Sequence, residues 1–444
     1  LLLTLAFLRG LIYAAVIPPW QAPDETGHFE YAWLIAHLGR LPTREDVSPA
    51  FEQELLGSLY EWRYGEFIGR PLPEGMPAEL DDLPMEVFAR RARTIDTGRF
   101  SLSYLWQALF LLPFRYQDLV AQLQIVRFSS ILLNLIIVWL AHKTFSEILP
   151  DRPYLVCLMT VVVVFLPQHT FINSTVGDGP LAELMACLVL CCWARLLRRG
   201  VSVLTVAGIV LGTLAGIWAK TTAAFLIPLD AGLALWWFLR RPQRVWRWRH
   251  VVYAGIGVAI LALAAWAVLQ SPQGSNTLDK VWSSISADSL VWIDARGMTF
   301  GEALMASHDS FWANFGWMAV PVSSRWYGAL LLLGLLAAFG WLGGRRNGRD
   351  SPSWGLILMG ASFLVALAVF VWVALLSQSS GYYQFQGRYL FPVTVPFAFL
   401  LIGGLAQIRI LRRRWALVGL TVIFLVLFDI WSMLGYVVPF FYSL

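Results

Sequence analysis

Residues 354–376 read WGLILMGASFLVALAVFVWVALL, 23 residues without one charged side chain. A helix rises about 1.5 Å per residue, so this run reaches roughly 35 Å, more than the ~30 Å hydrocarbon core of a bilayer. Working outward, runs of the same kind recur at 118–141, 202–239, 250–269 and 389–408. Of the 444 residues, 58% are hydrophobic and 14% charged, against about 45–50% and 25% in soluble domains. Together these features exclude a soluble enzyme, a disordered chain, a repeat solenoid and a nucleic-acid binder. The net charge of +5 does not reopen the last class. Its arginines gather in short loops between apolar segments, which is the pattern that orients membrane proteins.

The reading is an all-α polytopic membrane protein, a single integral-membrane domain over 1–444. Eleven spans are expected near 1–17, 118–141, 153–167, 179–198, 202–219, 221–239, 250–269, 326–342, 354–376, 389–408 and 415–438. Residues 1–17 precede no small-residue cleavage site, which favours a first spanning helix over a removable signal peptide. Five short loops, at 143–152, 195–199, 240–249, 345–349 and 409–414, hold 17 of the 33 Lys and Arg. The positive-inside rule places all five in the cytoplasm. Alternation then puts two long segments outside, 18–117 and 270–325. The first carries 15 Asp and Glu against 9 Lys and Arg, with ten prolines. Loops of that length are uncommon unless functional, and it should fold into short interfacial helices, Phe29–Leu38 among them. Residues 101–113 are apolar but short for a crossing, so they read as an interfacial or re-entrant helix. Cys157, Cys187, Cys191 and Cys192 lie in apolar segments and offer neither a disulfide framework nor a zinc motif. Absence of an internal repeat gives an inverted-repeat transporter no support.

The polar clusters that do not read as ordinary loop fall on the outer side. In PPWQAPDETGHFEYAW, residues 18–33, Pro23 suits a helix start. Asp24 and His28, at i and i+4, then share a face while Glu25 points elsewhere. A carboxylate just above the membrane is a candidate general base, or a ligand for a divalent cation, the one cofactor candidate here. Acids also favour a first helical turn for dipole reasons alone. In HTFINSTVGDGPLAEL, residues 169–184, Asn173 and Asp178 bracket a loop, and Asp178 also suits a helix cap. Lys220, in WAKTTAAF, is a lone cation at a hairpin. It reads either as a snorkelling lysine or as an anion ligand. In YYQFQGRYLFP, Gly387 permits close approach beside Gln386 and Tyr389, and Arg388 can grip a phosphate bidentately. Trp312, Asn314 and Trp317, in SHDSFWANFGWM, combine stacking with hydrogen bonding, as a sugar site would. Arg9, Arg127, Asp230 and Asp429 lie inside spans at a common depth, which points to ion pairs between helices.

In their order along the chain, the PDExxHF stretch, the Asn–Asp loop, the Lys-Thr hairpin, the SFWxxFGW stretch and QGRYxxP resemble a family of bacterial predicted membrane proteins of unknown function. That family is grouped with the GT-C glycosyltransferases, alongside protein O-mannosyltransferases and the aminoarabinose transferases of lipid A. The resemblance implies a GT-C-like bundle, a sugar donor carried on polyprenyl phosphate and a catalytic acid in the first external loop. By position the acid falls on Asp24, with Glu25 as neighbour. It gives the donor phosphate to Lys220 and Arg388, with Gln386 and Tyr389 beside them. His28, Asn173, Asp178, Trp312, Asn314 and Trp317 are left for sugar and acceptor. A large soluble C-terminal domain of the oligosaccharyltransferase kind is not expected, and the second external loop shows no clear DxD pair.

The expectation is therefore an inverting glycosyltransferase in a bacterial inner membrane. It would work on the periplasmic side, with membrane lipid around it and a glycan, lipid or protein as acceptor. Two other classes stay open from sequence alone: a transporter or flippase of lipid-linked sugars, and a non-catalytic subunit of a membrane complex.

Overall fold

The computed structural model describes residues 1–43, 46, 48–79, 82–83, 101–240, 299–344, 353–377, 385–411 and 413–443. The span expected at 250–269, the parts of the two long loops at 84–100 and 270–298, and most of the arginines at 241–249, 345–349 and 412 lie outside the described residues.

Among the described residues the chain is all-helical apart from one pair of two-residue strands, and seven helices are long and apolar enough to cross a membrane. This is the architecture of a multi-pass membrane protein. The first helix is α1 (Leu2–Val16). The first long loop supplies α2 (Glu25–Leu38), α3 (Pro49–Glu61), α4 (Tyr64–Phe67) and α5 (Leu102–Leu111). Then come α6 (Leu119–Ile148), α7 (Pro153–Phe165), α8 (Pro167–Ile172), α9 (Gly179–Arg199) and α10 (Val203–Ala219). A 3-10 segment, Thr221–Phe225, leads into α11 (Leu226–Arg240). Beyond these lie α12 (Phe300–Trp312), the antiparallel strands β1 (Asn314–Phe315) and β2 (Val320–Pro321), α13 (Ser324–Gly344) and α14 (Ser353–Ser377). The 3-10 turns Gly387–Val393 lead into α15 (Thr394–Leu405). The last helical stretch, α16 (Trp415–Tyr442), contains π turns at Gly419–Ile423 and Met433–Val437.

Ten of the eleven expected spans fall on these helices. Three, on α1, α7 and α10, have fewer than 18 residues, whereas α11 and α15 reach that length together with the 3-10 segments leading into them. Local signals explain the boundaries. Asp118 caps α6 by accepting the Ala121 amide at 2.9 Å, and Pro153 and Pro167 begin α7 and α8 where a missing N–H costs nothing. Ser202 and Thr205 form a reciprocal cap on α10. At 10 residues, α5 rises only about 15 Å, too short to cross.

Packing is centred on α6 and α9. Helix α9 lies against α10 and α6, α1 against α6, α13 against α15, and α2 against α5. One apolar core joins these long helices. A second, built on Trp20, Phe29, Phe51, Leu55, Leu59, Tyr104 and Leu123, joins the first-loop helices to α5 and the start of α6. Helix α2 therefore does not lie on a surface as an interfacial helix would. Eleven of its 14 residues are buried, because Phe29 and Tyr31 fill the second core.

The charges inside the spans pair differently from the simple expectation. Arg9 and Asp429 do pair, with Arg9 Nε donating to Asp429 Oδ2 at 2.8 Å and Tyr13 and Thr170 completing the network. Asp230 instead accepts from two neutral donors, Trp193 Nε1 at 2.6 Å and Thr213 Oγ1 at 2.6 Å. Arg127 pairs with Glu25.

Candidate functional site

The site begins with the turn between α1 and α2. Trp20 and Asp24 both have positive φ, 70° and 63°, a conformation that costs a bulky residue more than an aspartate. A guanidinium holds this turn closed. Arg127, fully buried on α6, donates to the carbonyls of Ala14 (3.0 Å), Ile17 (2.6 Å) and Pro18 (3.0 Å). It also meets Glu25 bidentately at 2.9 and 2.6 Å. All five of its donors are thereby used. Glu25 Oε1 also accepts the Val176 amide at 3.1 Å, tying in the loop before α9. Glu25 is thus the mooring of the turn, and its neighbour Asp24 meets a different cation.

Asp24 Oδ2 accepts from Arg388 Nη2 at 3.0 Å, and Arg388 Nη1 reaches the Pro23 carbonyl at 3.4 Å. Arg388 is delivered by the Gly387–Val393 turns, which sit directly on α12. The Gly387 amide donates to Ser310 Oγ at 2.8 Å. A Cβ at Gly387 would fall 2.2 Å from the Phe311 nitrogen, so only glycine permits this approach. The centre of the Tyr389 ring is 5.3 Å from Lys220 Nζ and 5.3 Å from Arg388 Cζ. Lys220 Nζ in turn donates to Asp178 Oδ1 at 2.6 Å. The same oxygen is 4.0 Å from His28 Nε2, whose Nδ1 is 2.7 Å from the Tyr104 hydroxyl. The side chains of Asp24, Asp178, Lys220 and Arg388 are all between 13% and 20% exposed, buried enough to strengthen charge interactions yet open to a ligand.

Six of the residues singled out in sequence, Asp24, His28, Asp178, Lys220, Arg388 and Tyr389, therefore meet in one cluster. They come from four separate segments of the chain. The others lie elsewhere. Asn173 is buried with His169 and Glu183, donating to Glu183 Oε2 at 3.1 Å while His169 Nε2 meets Glu183 Oε1 at 2.7 Å. Trp312 is packed against Phe397 and Phe311. Asn314 uses its backbone amide on Gln168 Oε1 at 2.8 Å. Trp317 donates from Nε1 to the Trp20 carbonyl at 3.3 Å and meets the edge of Tyr64. The Gln386 carbonyl accepts the Tyr389 amide at 3.1 Å.

Sequence reasoning missed the residues that hold the cluster from beneath. On α5, Ser103 Oγ donates to the Asp178 carbonyl at 2.9 Å and Gln107 Nε2 to the Gly177 carbonyl at 2.7 Å. Just before it, Ser101 Oγ donates to the Ala219 carbonyl at 3.0 Å. Ser103, Tyr104 and Gln107 share one helical face, a signal obscured by the apolar residues around them. Tyr64 was missed too. Burial pushes its phenol well above the ordinary range, and the charge of Asp24 adds to that against the opposing effect of Arg70. Among the described residues, no group of three or more His, Cys, Asp and Glu side chains is placed to hold a metal ion.

At the far end of the same helices, Glu147 on α6 is shared by Arg195 (3.4 Å), Arg198 (3.0 Å) and Arg199 (2.7 Å) on α9. The polar cluster and the arginine cluster thus occupy opposite ends. Fold and site together define a multi-pass helical membrane protein with an acid–cation cluster at one end of its bundle. Comparison with protein-family models, with curated proteins and with solved structures gives no match.

Proposed function

We propose that the chain is an integral-membrane glycosyltransferase of GT-C type, built on about eleven spans in a bacterial inner membrane with its site on the periplasmic side. It transfers a sugar from a polyprenyl-phosphate donor to an acceptor hydroxyl. The observation that carries this reading is the convergence of Asp24 and Asp178 with Lys220 and Arg388 in one part-buried cluster. A carboxylate beside two cations suits a reaction that removes a proton from one reactant and expels a phosphate from the other. The family resemblance noted above supplies the sugar and the polyprenyl chain. The arginines around Glu147 support the orientation, since that end of the bundle reads as cytoplasmic.

In the proposed reaction the donor phosphate lies against Lys220 and Arg388. Its hold on Arg388 leaves Asp24 to the acceptor. Asp24 takes the hydroxyl proton as the acceptor oxygen attacks the anomeric carbon with inversion. The bond from that carbon to the phosphate oxygen breaks, and polyprenyl phosphate leaves with its charge balanced by the two cations. The possible acceptors are glycan, lipid and protein.

The test follows free polyprenyl phosphate by mass spectrometry. Membranes containing the protein are incubated with a panel of polyprenyl-phosphate sugars and native acceptor extract. A positioned base contributes roughly 10²–10⁴-fold, so Asp24→Asn is expected to lower release by about that factor. Release undiminished by Asp24→Asn removes the base role. A lack of release from every donor, with folded protein and acceptors present, removes the transferase.

A further inference from the structure

We propose that the arginine cluster around Glu147 is a binding site for one anionic phospholipid. Its phosphodiester is held by Arg195, Arg198 and Arg199, and its chains run along the exposed face of α6. None of these residues belongs to the acid–cation cluster, so the proposal stands apart from the glycosyltransferase reading. The side chain of Glu147 is only 8% exposed. It accepts from Nε of Arg195 at 3.4 Å, Nη1 of Arg198 at 3.0 Å, and Nε and Nη2 of Arg199 at 3.1 and 2.7 Å. One carboxylate thus gathers three guanidiniums that would otherwise repel one another. Among the described residues it is the one carboxylate paired with them. The three side chains stay 49%, 36% and 60% exposed, and each guanidinium has five N–H groups, more than Glu147 takes. Planar forks of this kind hold a phosphate bidentately, and an arriving anion relieves the repulsion among them.

The surroundings favour a lipid over a free anion. Helix α6 has 30 residues and rises about 45 Å, more than the ~30 Å hydrocarbon core, so its last turns reach headgroup level. Ile136, Trp139 and Lys143 are all exposed, and at spacings of three and four they form one stripe of α6 that leads to Glu147. Tryptophan settles at the membrane interface, and Lys143 Nζ lies 5.8 Å from the centre of the Trp139 ring. The stripe therefore passes from aliphatic, through an interfacial aromatic, to cationic. A phospholipid presents the matching order, from acyl chain through its ester region to phosphate. A small soluble phosphate would meet the arginines and leave the stripe unused. Basic pockets between spanning helices are suited to acidic headgroups for the same electrostatic reason.

The test takes the full chain, delipidated in dodecyl maltoside, and counts bound lipid by native mass spectrometry. It is titrated with dioleoyl phosphatidylglycerol or dioleoyl phosphatidylcholine, which share their chains and differ in headgroup charge. One phosphatidylglycerol is expected to bind saturably, about tenfold or more tighter than phosphatidylcholine. The double variant Arg198→Gln/Arg199→Gln is expected to weaken that binding by about fivefold for each arginine lost. Arg409→Gln/Arg413→Gln removes two exposed arginines from a different loop and should leave it unchanged. Equal weakening by the two double variants overturns the site in favour of a general attraction to charge. Absent phosphatidylglycerol binding, or equal binding of the two lipids by the wild type, overturns the proposal even if Arg198→Gln/Arg199→Gln fails to fold. Displacement of bound phosphatidylglycerol by millimolar glycerol 3-phosphate overturns the lipid as occupant.

Discussion

Asp24 and Glu25 are adjacent, alike in charge and opposite in circumstance. Glu25 is completely buried against Arg127, while Asp24 keeps part of its carboxylate exposed beside Arg388. Removing one partner of a buried pair leaves the other charge without compensation, which costs about 3–5 kcal/mol. Glu25→Gln and Arg127→Met are each expected to destabilise by about that much, read as a lower unfolding temperature in detergent. The double variant should lose less than the sum of the two, since neither charge is then left alone. Asp24→Asn should unfold close to the wild-type temperature although its turnover falls. If Asp24→Asn proved as unstable as Glu25→Gln, Asp24 would be another mooring rather than a reacting group.

Helices place these residues through close approach rather than through side-chain bulk. Gly387 carries the argument furthest, because a Cβ there would press on the backbone of α12, 2.2 Å from the Phe311 nitrogen and 2.4 Å from its Cα. Backbone atoms cannot swing aside as a side chain can, and overpacking of this kind costs about 1–3 kcal/mol or more. Gly387→Ala is expected to lower the unfolding temperature and to weaken binding of the donor phosphate, because it shifts Arg388. Gly360→Ala, on α14 with open space around its Cβ position, should do neither. Equal behaviour of the two variants would contradict the packing of Gly387–Val393 on α12. The same contrast explains what could be read from sequence. Long uncharged runs such as 354–376 announce their own helices, and Asp24, His28, Asp178, Lys220, Arg388 and Tyr389 stand out as polar residues at the ends of such runs. Arg127 and Glu25 are 102 positions apart, and hydropathy carries no information about which buried charge meets which. Ser103, Tyr104 and Gln107 escaped notice because a ten-residue apolar helix resembles a failed span until its polar face is placed against the 177–178 turn.

Across the whole molecule, the separation of two polar ends gives function a direction. Three arginines share Glu147 at one end, so that end keeps a net positive charge, and the acid–cation cluster lies at the other. In the proposed orientation, with the arginine-rich end retained in the cytoplasm, Asp24, Lys220 and Arg388 lie across the bilayer from it. Two exposed positions report the ends separately: Tyr116, 84% exposed just before α6, and Arg199, with a side chain 60% exposed at the end of α9. With the four native cysteines replaced by alanine, Tyr116→Cys is expected to react with a membrane-impermeant maleimide on intact cells. Arg199→Cys should react only after permeabilisation. Reversal of that pattern would place the cluster at the cytoplasmic face. A periplasmic acceptor would then be out of reach, and the proposed transferase would have to draw both substrates from the inner leaflet.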